Sequence, residues 1–124
     1  MIINILITSS GNNNGIRLMK SIIKNSKFKN LNIFGADINE TKYKNIFLVP
    51  SVTNKTYFYK ITKIIKDNQI DLIIPGSDEE AIFFSKLKNK IEKYNCKVCG
   101  VNFKYLKKFT DKKVTYQTLT KNNI

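Results

Sequence analysis

The 124-residue chain has no histidine and no tryptophan, only one arginine, two prolines, two cysteines and five glycines. Without histidine there is no imidazole general base and no Ser-His-Asp triad. The same absence leaves Cys96 and Cys99, in CKVCGV, without the two further ligands a zinc site requires. A redox C-x-x-C pair sits where a helix begins, because the helix start lowers a thiol pKa. This pair falls inside an expected strand, so both residues are expected to be core thiols in a reducing compartment. A G-x-x-x-x-G-K-[ST] phosphate loop is also missing. No apolar run approaches the ~20 residues of a membrane span. The opening MIINILITSS lacks the basic segment of a signal peptide and reads as a strand. The expectation is a cytoplasmic protein with no membrane partner.

Positive charge is abundant, with a formal net charge of +13. Arg17 is the sole guanidinium, however, and the lysines are spread over every segment. Nucleic-acid sites favour arginine for bidentate contacts and gather their charge on one face. A solvated lysine surface is therefore expected, and no nucleic-acid partner.

The apolar residues are arranged in two alternating patterns. IINILIT (2–8) is a continuous apolar run of strand length, as in a strand buried on both faces. LNIFGAD (31–37), NIFLVP (45–50), IDLIIPG (70–76) and CKVCGV (96–101) add four more strands. Between them, residues 15–25, 56–68 and 77–94 repeat apolar side chains at helical spacing. Phe58, Ile61, Ile64 and Ile65 share one helical face, and Phe83, Phe84, Leu87 and Ile91 share another. A short helical turn is expected near 103–108 and a last helix over 110–123. Strands alternating with helices define an α/β domain: three layers, Rossmann-like, with a mostly parallel sheet of about five strands. Asn39–Lys55 is the loosest segment, and its short strand is expected toward an edge of the sheet.

In such sheets ligands bind outside the carboxyl ends of the strands, near the switch in strand order. Loops 8–15, 37–42 and 75–79 belong there. The first contains Ser9, Ser10, Gly11 and Asn12, and its Gly11 and Gly15 have a G-x-x-x-G spacing found in some short-chain dehydrogenases. Its backbone N–H groups could face a phosphate, or its glycines could serve only a turn and close helix packing. Asp37 stands where dinucleotide enzymes place the acid that holds ribose hydroxyls, and where an aspartate also makes an ordinary turn. Ser77 and Glu80 fit the S-x-x-E capping box, and Asp78 and Glu79 complement the helix dipole. Adjacent acids at 78 and 79 could also bind an ammonium group or a cation.

The segments NILITSSGNNNGIRLMKSI, FGADIN and FLVPSVTNKTYFYKITKIIKDNQIDLIIPGSDEE, in that order, resemble the N-terminal domain of ATP-grasp enzymes. The likeness is to proteins similar to the carbamoyl-phosphate synthase large subunit. Asn12 to Asn14 depart from the basic or small residues often found there. FTDKKVTYQTLTKNNI resembles the segment that leads out of this domain into the ATP-grasp domain. The resemblance implies a Rossmann-like domain over 1–109 and a linking helix over 110–124. It further implies a carboxylate–amine ligase that works through an acyl phosphate. Such an enzyme uses ATP and Mg2+, with the C-terminal ATP-grasp domain of the same chain and small carboxylate and amine substrates as partners. Lys112, in the D-K motif, would then bind ATP phosphate. Ser9, Ser10, Gly11, Asn12, Asp37, Asp78 and Glu79 would line the substrate side of the shared cleft. No catalytic residue, metal ligand or cofactor is expected within the 124 residues themselves. Two other readings stay open: a self-contained NAD(P)- or nucleotide-binding module, and a regulatory domain that binds only a partner. A homo-oligomer is compatible with each.

Overall fold

The computed structural model describes residues 2–11, 17, 18, 20, 21, 24, 30–41 and 45–100. Five parallel strands form one sheet: β1 (Ile3–Thr8), β2 (Leu31–Asp37), β3 (Ile46–Leu48), β4 (Leu72–Ile74) and β5 (Lys97–Val98), in the order β3-β2-β1-β4-β5. The helices are α1 (Tyr57–Asn68), α2 (Asp78–Lys86) and α3 (Lys88–Glu92). Arg17, Leu18, Lys20, Ser21 and Lys24 also take helical backbone, in keeping with the helix expected over 15–25. Its apolar residues Met19, Ile22 and Ile23 lie outside the described residues, as do Asn12, Lys112 and everything from 101 onward.

β1 is central because it is apolar on both faces. Leu6 enters the core with Ala36, Ile61, Ile65, Ile73 and Phe84, while Ile5 and Ile7 turn to the other face beside Ile33. Its register pairs Ile5 with Ile33 on β2 and with Leu72 on β4. At the amino edge of the sheet Asn4 ties three strands together. Its N–H donates to Asp71 Oδ2 (2.8 Å), its side-chain amide donates to the Gln69 carbonyl (3.0 Å), and its Oδ1 accepts from Asn32 (3.0 Å). α1 runs from Tyr57 and buries Tyr57, Ile61, Ile64 and Ile65, a stripe at helical spacing. It ends at Gln69, in left-handed backbone (φ 51°).

The edge position expected for the third strand is observed. Three details differ from the expected elements. β4 is limited to Leu72–Ile74 and β5 to Lys97–Val98, because Pro75 offers no N–H to extend the ladder and β5 pairs with one neighbour among the described residues. The helix expected over 77–94 bends at Leu87 (φ −104°, ψ 14°) and ends at Glu92. No glycine or proline marks that bend, and the residues on either side of it, Phe84 and Ile91, are both fully buried. Finally, the two cysteines are not equivalent. Cys96 is buried and Cys99 is exposed. Side chains of extended backbone alternate between faces, so a separation of three puts the two thiols on opposite sides.

Candidate functional site

The switch in strand order falls between β1 and β4, since the chain steps from β1 to β2 and β3 on one side and returns to β4 on the other. At their carboxyl ends these two strands almost touch. Gly76 N–H donates to Thr8 Oγ1 (3.0 Å), and a Cβ on Gly76 would lie 1.9 Å from the Thr8 carbonyl oxygen. Glycine is required here by this close approach.

Above this junction opens a cleft of about 280 Å³. Its walls are Ser9 after β1, Asp37 and Ile38 at the end of β2, Val49 to Thr53 after β3, and Ser77, Glu79 and Glu80 at the start of α2, with Tyr57 also in the lining. Among the described residues, three acidic side chains line it and no basic one does. In a protein of net charge +13 that is a local reversal of sign.

Glu80 organises the deep end. Ser77, extended at the N-cap, accepts the Glu80 N–H through its hydroxyl (3.2 Å), which is the expected first half of a capping box. The Glu80 carboxylate makes contacts well beyond its own helix. Oε1 accepts from Ser77 Oγ (2.9 Å) and from Ser9 Oγ, and Oε2 accepts from Tyr57 Oη. Only 6% of Glu80 is exposed, so a set of hydroxyl donors replaces its water. Burial first, and then the hydrogen bond to Glu80 and its charge, push the Tyr57 phenol far above its ordinary pKa. The Tyr57 ring packs edge-on to Phe83 (centroids 5.1 Å apart).

Asp37 is 8% exposed and committed to the backbone. Oδ2 accepts the Gly11 N–H (2.9 Å) and Oδ1 accepts the Asn39 N–H (2.9 Å). The fit is close, since a Cβ on Gly11 would lie 2.8 Å from Asp37 Cγ. The Ser10 N–H donates to the Ala36 carbonyl (3.2 Å). The first two N–H groups after Ser9 are therefore consumed by protein acceptors and are not offered to a phosphate.

Of the residues singled out from sequence, Ser9, Asp37 and Glu79 meet in the cleft, and Gly11 lines an adjoining recess with Ser9, Asp37, Ile38 and Asn39. Ser10 is fully buried beside Gly35 and does not line the cleft. Asp78 is exposed at the start of α2, outside the cleft lining. Asn12 and Lys112 lie outside the described residues. Sequence reasoning passed over Glu80, which the capping motif had explained, and Tyr57, which opens the apolar stripe of α1. It also passed over the Val49–Thr53 wall.

Strand order, parallel pairing and the position of the cleft define a Rossmann-like α/β domain. The fold is shared with a dTDP-glucose 4,6-dehydratase from Bacillus anthracis str. Ames, solved in complex with NAD (TM-score 0.55, 14% identity, 77% of this chain and 36% of that one). It is shared equally with a short chain dehydrogenase family protein from Francisella tularensis subsp. tularensis SCHU S4 (TM-score 0.55, 16% identity, 81% and 49%). The chain thus spans half or less of either structure. No curated protein sequence matches it. Within this fold class the chain belongs to the PylC-like N-terminal domain family, whose model matches residues 5–99. It is a pre-ATP-grasp domain of PylC-like type. The narrower likeness to carbamoyl-phosphate synthase has no such support.

Proposed function

We propose that this domain forms the substrate-side wall of an ATP-grasp ligase, in which a carboxylate is activated as an acyl phosphate and captured by an amine or ammonia. The observation that carries the reading is the PylC-like N-terminal match over residues 5–99, which includes every described cleft residue. Carbamoyl-phosphate-synthase-like use of ammonia is the narrower form of the same reading.

The described residues do not fit the ATP phosphates. Among the described residues the cleft is lined by Asp37, Glu79 and Glu80 with no basic side chain, and the Ser10 and Gly11 N–H groups are already bonded. Triphosphate and magnesium are assigned instead to an ATP-grasp domain, with Lys112 as the contribution of this chain. A lysine ammonium suits that task as a compact point charge. In this reading the domain's own residues bind and orient the second substrate. The self-contained dinucleotide module is less well supported, since the solved structures that share this fold, one of them in complex with NAD, are only 14% and 16% identical, whereas the PylC-like N-terminal model matches residues 5–99.

The test begins with the intact mass of the natural gene product, followed by its ADP release. The expected result is a heavier protein that releases ADP only when a carboxylate and an amine are both supplied, and a 124-residue chain that releases none. Saturable NAD binding by the 124-residue chain, abolished by Asp37→Ala, would overturn the reading in favour of the dinucleotide module.

A further inference from the structure

Ser9 is one of three non-glycine residues in left-handed backbone among the described residues, with φ 50°. That conformation is uncommon for a side-chain-bearing residue and persists when its surroundings hold it. The Ser9 hydroxyl donates to Glu80 Oε1, across the switch point and 71 residues away in sequence. Glu80 is in turn fixed by Tyr57 on α1 and by Ser77 at the start of α2. The two residues after Ser9 carry the N–H groups that clasp β2, through Ala36 and Asp37.

We propose that Glu80 is a positioning residue that acts through Ser9. By holding Ser9 in left-handed backbone it fixes the loop after β1 against α2, and so sets the cleft before any substrate enters. Preorganisation of this kind keeps a binding geometry without ordering cost at the moment of binding. The role in substrate placement rests on the ligase reading; the latch itself does not.

Hydrogen exchange of the 124-residue chain, followed residue by residue, tests the latch. Glu80→Ala and Ser9→Ala are each expected to speed exchange of the Ser10 and Gly11 amides about tenfold, the factor that loss of one ordinary hydrogen bond gives. The Ile61 and Ile65 amides of α1 should keep their rates. Adding Ser9→Gly to Glu80→Ala should recover most of the lost protection, because glycine takes left-handed backbone without a tether. Ser9→Ala leaves Glu80 and the α2 cap in place, so it remains informative if Glu80→Ala does not fold. A purely capping role for Glu80 predicts changes confined to the first turn of α2, residues 77 to 81, and no response to Ser9→Ala; that pattern would overturn the proposal. No arm of this experiment uses ATP or activity. Failure of the latch would leave the ligase reading standing, and failure of the ligase assay would leave the latch standing.

Discussion

The phenol of Tyr57 donates a hydrogen bond to the buried carboxylate of Glu80, joining the first residue of α1 to the first turn of α2. Tyr57 thereby does two jobs at once. Its ring fills the core beside Phe83 and Phe84, and its hydroxyl satisfies a buried acid. The jobs separate by mutation. Tyr57→Phe keeps the packing and removes one donor, and is expected to cost about 1–2 kcal/mol. Tyr57→Ala removes both and is expected to cost about 3–5 kcal/mol. Urea denaturation of the two variants measures the difference.

Gly76→Ala is expected to be the most damaging glycine substitution at the cleft. Its Cβ would lie 1.9 Å from a backbone carbonyl, which can yield only if β1 and β4 separate. Overpacking of this kind costs about 2–3 kcal/mol. Gly11→Ala should cost less, since its Cβ meets the Asp37 side chain at 2.8 Å and a side chain can rotate away. Denaturation midpoints should rank wild type above Gly11→Ala, and Gly11→Ala above Gly76→Ala.

Asp37→Asn should destabilise the domain even with no ligand present. One of the two backbone N–H groups then faces an amide NH2 in place of an acceptor, at an expected cost of about 1–3 kcal/mol. Added NAD should leave the melting temperature of wild type and variant unchanged, because a ligand raises it only by binding the native state.

The two thiols should react on different schedules. Cys99 is exposed and should be modified by a thiol reagent in the native protein, whereas Cys96 should react only on unfolding. Burial, aided by the charge of Asp71, pushes the Cys96 thiol up to about 12. The unfolded chain loses that proton near its ordinary value of 9.0 while the native chain keeps it. The native state then binds more protons, so stability falls as pH rises. The Cys96 contribution is full below pH 9 and is lost as the pH approaches about 12; Tyr57 adds to the same alkaline loss. Melting temperatures measured from pH 7 upward should fall through this range, less steeply in Cys96→Ala.

The central strands were legible because IINILIT and LNIFGAD are apolar runs whose burial needs no tertiary knowledge. α1 was legible for a similar reason, since Ile61, Ile64 and Ile65 repeat at helical spacing. Asp37 and Glu79 could be placed near the ligand side of the sheet once parallel strands were assumed. Glu80 was harder. Its sequence neighbours supply a complete local explanation in the capping motif, and the contacts that distinguish it come from Ser9 and Tyr57, 71 and 23 residues away. The Val49–Thr53 wall depends on β3 lying beside β2, which spacing alone does not state. The bend at Leu87 had no breaker residue to announce it.

The lengths of the strands have one more consequence. The interior strands β1 and β2 have six and seven residues, while the outermost described strands, β3 and β5, have three and two. An outer strand exposes unpaired N–H and C=O groups that can recruit a strand from another molecule. Among the described residues each border is too brief to seat a long intruding segment, and one carries the exposed ammonium of Lys97. A sheet this rich in isoleucine is thereby guarded against templated aggregation by the shortness of its margins.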